Sequence, residues 1–152
     1  VIIIASKRHW LWRAVDQNGY VLDEIVQTRR NTKAAKRLLT RLLKKQGGPL
    51  RRMTTNKLSS YAAARRQIMP FVEQRSHKVL KKRVENSHLP LRRRERIMLS
   101  FRSPGGLQRF TNVFSAIRNL FVPPYSRRSA LATHLHRLTA MAEWIAVIGA
   151  TA

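Results

Sequence analysis

The apolar positions of the first thirty residues alternate with polar ones in the short period of β-strands. Val1 to Ala5 is a β-branched run, Ser6 to Arg8 a polar turn, and His9 to Asp16 a second apolar stretch rich in Trp, Leu and Val. Asn18-Gly19 is a common tight-hairpin pair because both residues tolerate positive φ, and Tyr20 to Gln27 forms the returning strand. Three antiparallel strands are therefore predicted to open the fold. The period then lengthens: Ala34, Ala35, Leu38, Leu39, Leu42 and Leu43 recur at helical spacing while Lys and Arg fill the other face. Asn31 or Thr32 can cap this helix, and Gly47-Gly48-Pro49 stops it.

Beyond it, Met53 to Thr55 predicts a short strand, Leu58 to Met69 a helix ended by Pro70, and Phe71 to Arg75 a further strand. From Leu80 onward the pattern is helical, broken by Pro90, by Ser103-Pro104-Gly105-Gly106, which reads as an inter-helix turn, and by Pro123-Pro124. In the final segment, Ser129 to Val147, Leu131, Leu135, Leu138, Met141 and Trp144 are spaced for one face. There is no internal repeat. Strands that meander and then alternate with helices predict the α/β class, a mixed sheet covered by helices.

Composition narrows the function. At 152 residues with 43% hydrophobic content, the chain has the material for one core and is not a disordered basic tail. Its 31 Lys and Arg against 7 acidic residues give a net charge of +24, which points to a polyanionic partner, with nucleic acid first. No run reaches the ~18 apolar residues of a membrane span, and Val1 to Ala5 is too short for a signal-peptide core. The absence of cysteine excludes disulfides, thiolate zinc sites and cysteine nucleophiles.

The positive charge concentrates between Arg75 and Arg102, in Lys78, Lys81, Lys82, Arg83, Arg92, Arg93, Arg94 and Arg96, opposed only by Glu85 and Glu95. Such a run can be a solvated helix face, but a net +24 is self-repulsive unless anions compensate it, which favours phosphate contact. No helix-turn-helix, zinc-finger or RNA-recognition signature accompanies it, so base-specific reading is not implied. Carboxylates are scarce. Asp16, beside the Asn18-Gly19 turn, reads as a hairpin-turn aspartate rather than a metal ligand. His134 and His136 are two apart on a helix and do not share a face, while His9, His77 and His88 are scattered. No catalytic triad, phosphate loop or small-molecule site stands out.

Several strings in order carry a resemblance. His9-Trp10-Leu11-Trp12-Arg13-Ala14-Val15-Asp16, the stretch Gly19 to Lys45, Asn56-Lys57-Leu58 with Tyr61, and Glu85-Asn86-Ser87-His88 are similar to the integrase core of insertion-sequence transposases of the IS-six group. Phe101-Arg102-Ser103-Pro104-Gly105-Gly106-Leu107-Gln108 and Asn119-Leu120-Phe121 continue the match. The resemblance implies a DDE integrase core with an RNase H-like fold over residues 1–122, followed by a C-terminal helical extension over 123–152. It also implies DNA as partner, Mg²⁺ as cofactor, and a bacterial, cytoplasmic, nucleoid-associated protein.

The same resemblance implies a degenerate site. In the family the first catalytic aspartate, followed by a glutamate, precedes the segment similar to Val1-Ile2-Ile3-Ile4, so a core truncated at its N-terminus is expected. The second aspartate belongs to a Thr-Asp-Lys motif, matched here by Thr55-Asn56-Lys57, and the third member, a glutamate, matches Glu85. Lys81 and Lys82 stand where the family usually has asparagines. The expectation is a DNA-binding domain derived from a transposase, with Lys57 and the basic cluster on phosphate. Its ancestral role is transposition by strand cleavage and transfer; its catalysis is lost, and its metal is at best weakly held by Glu85 alone. Two other readings stay open: a basic nucleic-acid-binding module reusing the fold, and a homo-oligomer formed through the last helix.

Overall fold

The computed structural model describes residues 1–47, 52–54, 59–75, 85–98, 100–124 and 129–149. Its first three elements are the predicted strands: β1 (Ile2–Ile4), β2 (Lys7–Val15) and β3 (Val21–Gln27), in one antiparallel sheet of order β1-β2-β3. The tight two-residue hairpin, however, is not at Asn18-Gly19. Ile4 pairs with Lys7, and Ala5 and Ser6 between them have φ 47° and 62°, both left-handed, the pattern of a type I′ turn. At the second hairpin only Gly19 is left-handed (φ 88°). Asp16 N–H donates to the Tyr20 carbonyl and Gly19 N–H to the Asp16 carbonyl, so the turn carries an extra residue. Asp16 Oδ1 accepts from the Asn18 and Tyr20 amides, both at 2.8 Å. It is the turn aspartate that the sequence predicts, and these two bonds hold the longer loop in place of a type I′ pair.

Helix α1 (Thr32–Gln46) begins where Asn31 accepts a side-chain bond from Ala34 N–H at 3.1 Å, and it ends on left-handed Gly47 (φ 66°). It buries Ala34, Ala35, Leu38, Leu39 and Leu42. Strand β4 (Arg52–Thr54), helix α2 (Ser59–Ile68) and strand β5 (Glu73–Arg75) follow as predicted. Here one expectation changes: β4 and β5 pair parallel in a sheet of their own and are not hydrogen-bonded to β1–β3 among the described residues. Each is three residues long, and helix α2 between them is the crossover that parallel strands need.

Helix α3 (Leu89–Ile97) carries Pro90 in its first turn, so this proline helps open a helix rather than only breaking one. Ser103-Pro104-Gly105-Gly106 is likewise not an inter-helix turn but the start of α4 (Pro104–Phe121). Ser103 Oγ accepts from Gly106 N–H at 3.0 Å, and proline fits the first helical turn because its missing N–H has no partner there. A Cβ on Gly106 would come within 3.2 Å of that Oγ, which explains a small residue at this point. Helix α5 (Ala130–Gly149) closes the chain.

The layers follow from strand alternation. Trp12 and Ile25 project to one face and pack with Ala34, Ala35, Leu38 and Leu39 of α1, Ala64 of α2, and Met69 and Val72. Tyr61 meets Trp12 edge-on at 5.1 Å between ring centroids. Ile2, Ile4, Leu11 and Val26 project to the other face, against Leu91 of α3, Phe101, and Leu107, Phe110 and Phe114 of α4. The sheet is thus covered on both sides. This is why Asp23, Glu24 and Ile25, three consecutive residues of β3, are all buried.

Candidate functional site

Charged residues inside apolar strands have to be paired, and β2 and β3 each carry some. Arg13 and Glu24 are direct cross-strand partners. Arg13 Nε and Nη2 donate to Glu24 Oε2 at 2.9 and 2.7 Å, with both side chains almost wholly shielded from solvent. The remaining arm of the guanidinium, Nη1, donates to the carbonyl of Ser87. On the opposite face Asp23 is buried and bridged by Arg41 at 3.0 Å and Lys45 at 2.7 Å, both from α1.

The Arg13 contact places the Glu85 segment. Glu85 to Ser87 forms a helical turn in which His88 N–H donates to the Glu85 carbonyl at 3.2 Å. Ser87 is buried and held by Arg13, whereas Glu85 itself is exposed. The turn is therefore fixed to the middle of the sheet while its carboxylate faces outward. His88 lies beside this pair. Burial first, and then the positive charges of Arg13, Arg92 and the chain amino terminus, pull its imidazole down to about 4.

Asn56 and Lys57 lie outside the described residues, in the segment between β4 and α2, as do Lys78, Lys81, Lys82 and Arg83. Arg75 ends β5. Arg92, Arg93, Arg94 and Arg96 are all exposed on α3, but they do not form one patch. At helical spacing Arg96 neighbours both Arg92 and Arg93, whereas Arg94 lies well round the helix from Arg92. Arg93 and Arg94 line a cleft of about 610 Å³ between α3 and α4, together with Asn86 and Arg118 over a floor that includes Leu89, Ile97, Ile117 and Phe121. The string of arginines in sequence is thus spread around the helix, with Arg93 and Arg94 on the cleft. Among the described residues, no group of three His, Asp or Glu side chains could hold a metal ion. No helix among them is long and apolar enough to cross a membrane.

The strings at the start and end of α4 have a structural role. Gln108 Oε1 accepts from Val26 N–H at 2.8 Å and its Nε2 donates to the Glu24 carbonyl at 2.9 Å. Asn119 does the same at Val21, accepting from its N–H at 2.9 Å and donating to its carbonyl at 2.8 Å. Two side-chain amides thereby occupy the free edge of β3, which would otherwise expose a row of unpaired backbone groups. Sequence reasoning missed this sealed edge and the Arg13–Glu24–Ser87 connection. The signal for the latter was available: an arginine inside Trp-Leu-Trp-Arg-Ala-Val and an acidic pair inside Val-Leu-Asp-Glu-Ile-Val are charges at positions a buried sheet does not leave free.

A mixed α/β domain with an antiparallel three-stranded sheet, helices on both faces and a glutamate-bearing turn tied to its centre is compatible with an RNase H-like fold. The chain belongs to the DDE transposase family: the family model described as a DDE domain matches residues 1–122. No match was found among curated proteins or among solved structures.

Proposed function

We propose that this chain is a DNA-contacting core of the RNase H-like, IS-six type of DDE transposase, with residues 1–122 as the core and 123–152 as an extension. On this reading it does not carry out strand cleavage as it stands. The observation that carries the proposal is the fate of the carboxylates in a chain matched to a DDE domain. Two Mg²⁺ ions about 4 Å apart need a cluster of anionic ligands. Asp16 is committed to a turn, Asp23 to Arg41 and Lys45, and Glu24 to Arg13. Glu85 is exposed with its turn anchored, but the position paired with it by resemblance is Asn56, a neutral amide. Mg²⁺ gives up its water reluctantly and gains little from one carboxylate and one amide. Asn56 and Glu85 therefore do not by themselves make a site for the metal pair.

DNA contact rests on the net charge of +24 together with the family. Contacts to phosphate give affinity without sequence preference and make it strongly salt-dependent. The side of α3 bearing Arg93 and Arg94 is the better phosphate surface, because Asn86, next to Glu85, lines the same cleft.

Supercoiled-plasmid nicking with Mg²⁺ or Mn²⁺ tests the catalytic half. The unmodified chain should be inert. Metal-dependent nicking by the unmodified chain, lost in Glu85→Gln, overturns the reading.

A further inference from the structure

Helix α5 carries an apolar stripe that the described residues leave exposed. Leu131, Leu135, Leu138, Ala142, Ile145 and Gly149 are spaced four, three, four, three and four residues apart. At about 100° per residue this places them along one side of the helix. All six are exposed, and the four large ones keep 68, 54, 55 and 61% of their surface accessible. The opposite side is where α5 meets α4: Ala140 is buried, His136 Nε2 donates to the Leu120 carbonyl at 2.9 Å, and the Trp144 ring lies 6.3 Å from that of Phe121. The leucines thus point away from the domain.

Charge indicates what can cover them. The whole chain carries +24, yet Ala130–Gly149 holds one arginine, Arg137, and one glutamate, Glu143, which cancel. Two copies repel each other over most of their surface and not at α5. Helices that lie on anionic membranes carry many Lys and Arg on their polar face, and α5 does not. The stripe also fits itself. Its spacing reads the same in both directions, so two antiparallel copies centred level with residue 140 place Leu131 over Gly149, Leu135 over Ile145 and Leu138 over Ala142. In two of these contacts large meets small, as close packing requires. A parallel pair would set Ala142 on Ala142 and Gly149 on Gly149, leaving gaps with lost dispersion contacts. Antiparallel helix dipoles also attract.

We infer that α5 is a homodimerisation helix that pairs antiparallel with α5 of a second copy. It lies beyond residue 122, where the DDE-domain match ends, so this surface is additional to the family domain.

Sedimentation equilibrium of the full chain, free of DNA and at high salt, should show the mass rising with concentration from 17.6 kDa to twice that value. Leu135→Glu and Leu138→Glu, both at exposed sites that the fold does not need, should each weaken association at least tenfold. Because the chain contains no cysteine, disulfide trapping reads the orientation. Leu135→Cys mixed with Ile145→Cys should cross-link, and neither should do so alone, since like residues of an antiparallel pair would stand about 15 Å apart along the axis. A monomer at every concentration overturns the proposal. Cross-linking of each variant only with itself, or a monomer that instead sediments with anionic vesicles through Leu135 and Leu138, does so as well.

Discussion

Arg13 on β2 and Glu24 on β3 face each other across the sheet in a two-point hydrogen bond, and the third arm of the arginine reaches the carbonyl of Ser87. One guanidinium therefore links the centre of the sheet to the turn that carries Glu85. Removing one partner leaves the other charge buried and unpaired, which costs about 3–5 kcal/mol. Arg13→Ala and Glu24→Ala should each lower stability by this order in urea unfolding. Arg13→Met with Glu24→Leu should lose markedly less than the two single losses added together. Additive losses would show that the pair is not coupled.

The Ala5-Ser6 turn stores strain that a different sequence would relieve. Both residues are left-handed, a conformation costing roughly 1–2 kcal/mol for a residue with a Cβ. Ala5→Asn with Ser6→Gly supplies the favoured type I′ pair. The double variant should unfold at higher temperature, with a gain of about 1–2 kcal/mol, and an unchanged or lower midpoint would contradict the turn type.

Gln108 and Asn119 seal the edge of β3. Each makes two hydrogen bonds to backbone groups there. Gln108→Ala or Asn119→Ala should cost about 1–3 kcal/mol, the range for leaving buried partners unsatisfied. Aggregation should also increase as the strand edge opens. Faster amide exchange at Val26 in the first variant and at Val21 in the second is the local measurement.

His88 gives the fold an acid sensitivity. Its imidazole is pulled down to about 4 by burial and then by Arg13, Arg92 and the amino terminus. A histidine with a depressed folded value contributes stability that is fully present above its unfolded value of about 6.5 and is lost as pH falls toward the folded one. Stability should therefore decline between pH 6.5 and 4 by about 3 kcal/mol from this residue. His88→Phe should flatten the decline in that window, and an unaltered pH profile would remove the assignment.

The salt dependence of DNA affinity should separate the two sides of α3. Each lost phosphate contact reduces the slope of log affinity against log salt by about 0.9. Arg93→Ala with Arg94→Ala should flatten the slope by up to about 1.8, and Arg92→Ala with Arg96→Ala by clearly less. The reverse ranking would move the DNA surface to the other side of the helix.

Local chemistry made much of this architecture legible in the sequence. The alternation of Val1 to Gln27 predicts the strands, and Asn31 and Gly47 predict the ends of α1. Asp16 declares itself as a turn residue because its partners are two and four residues away. The order of the family strings points to the DDE domain that residues 1–122 match.

What sequence could not supply depends on which distant residues meet. The polar turn read at Ser6 to Arg8 is in fact Ala5-Ser6, because pairing of Ile4 with Lys7 leaves two residues to reverse the chain and puts Lys7 and Arg8 in β2. Arg13 is a buried anchor only because Glu24 and Ser87 arrive on either side of it, the latter from 74 residues away. The arginines of α3 form one run in the chain but diverge in space, since successive residues on a helix point in different directions. Ala140 rather than the leucine stripe of α5 faces the domain, and no periodicity could decide that. Helical spacing defines a stripe, but only the packing of α5 on α4 determines which side of the helix is left for a partner.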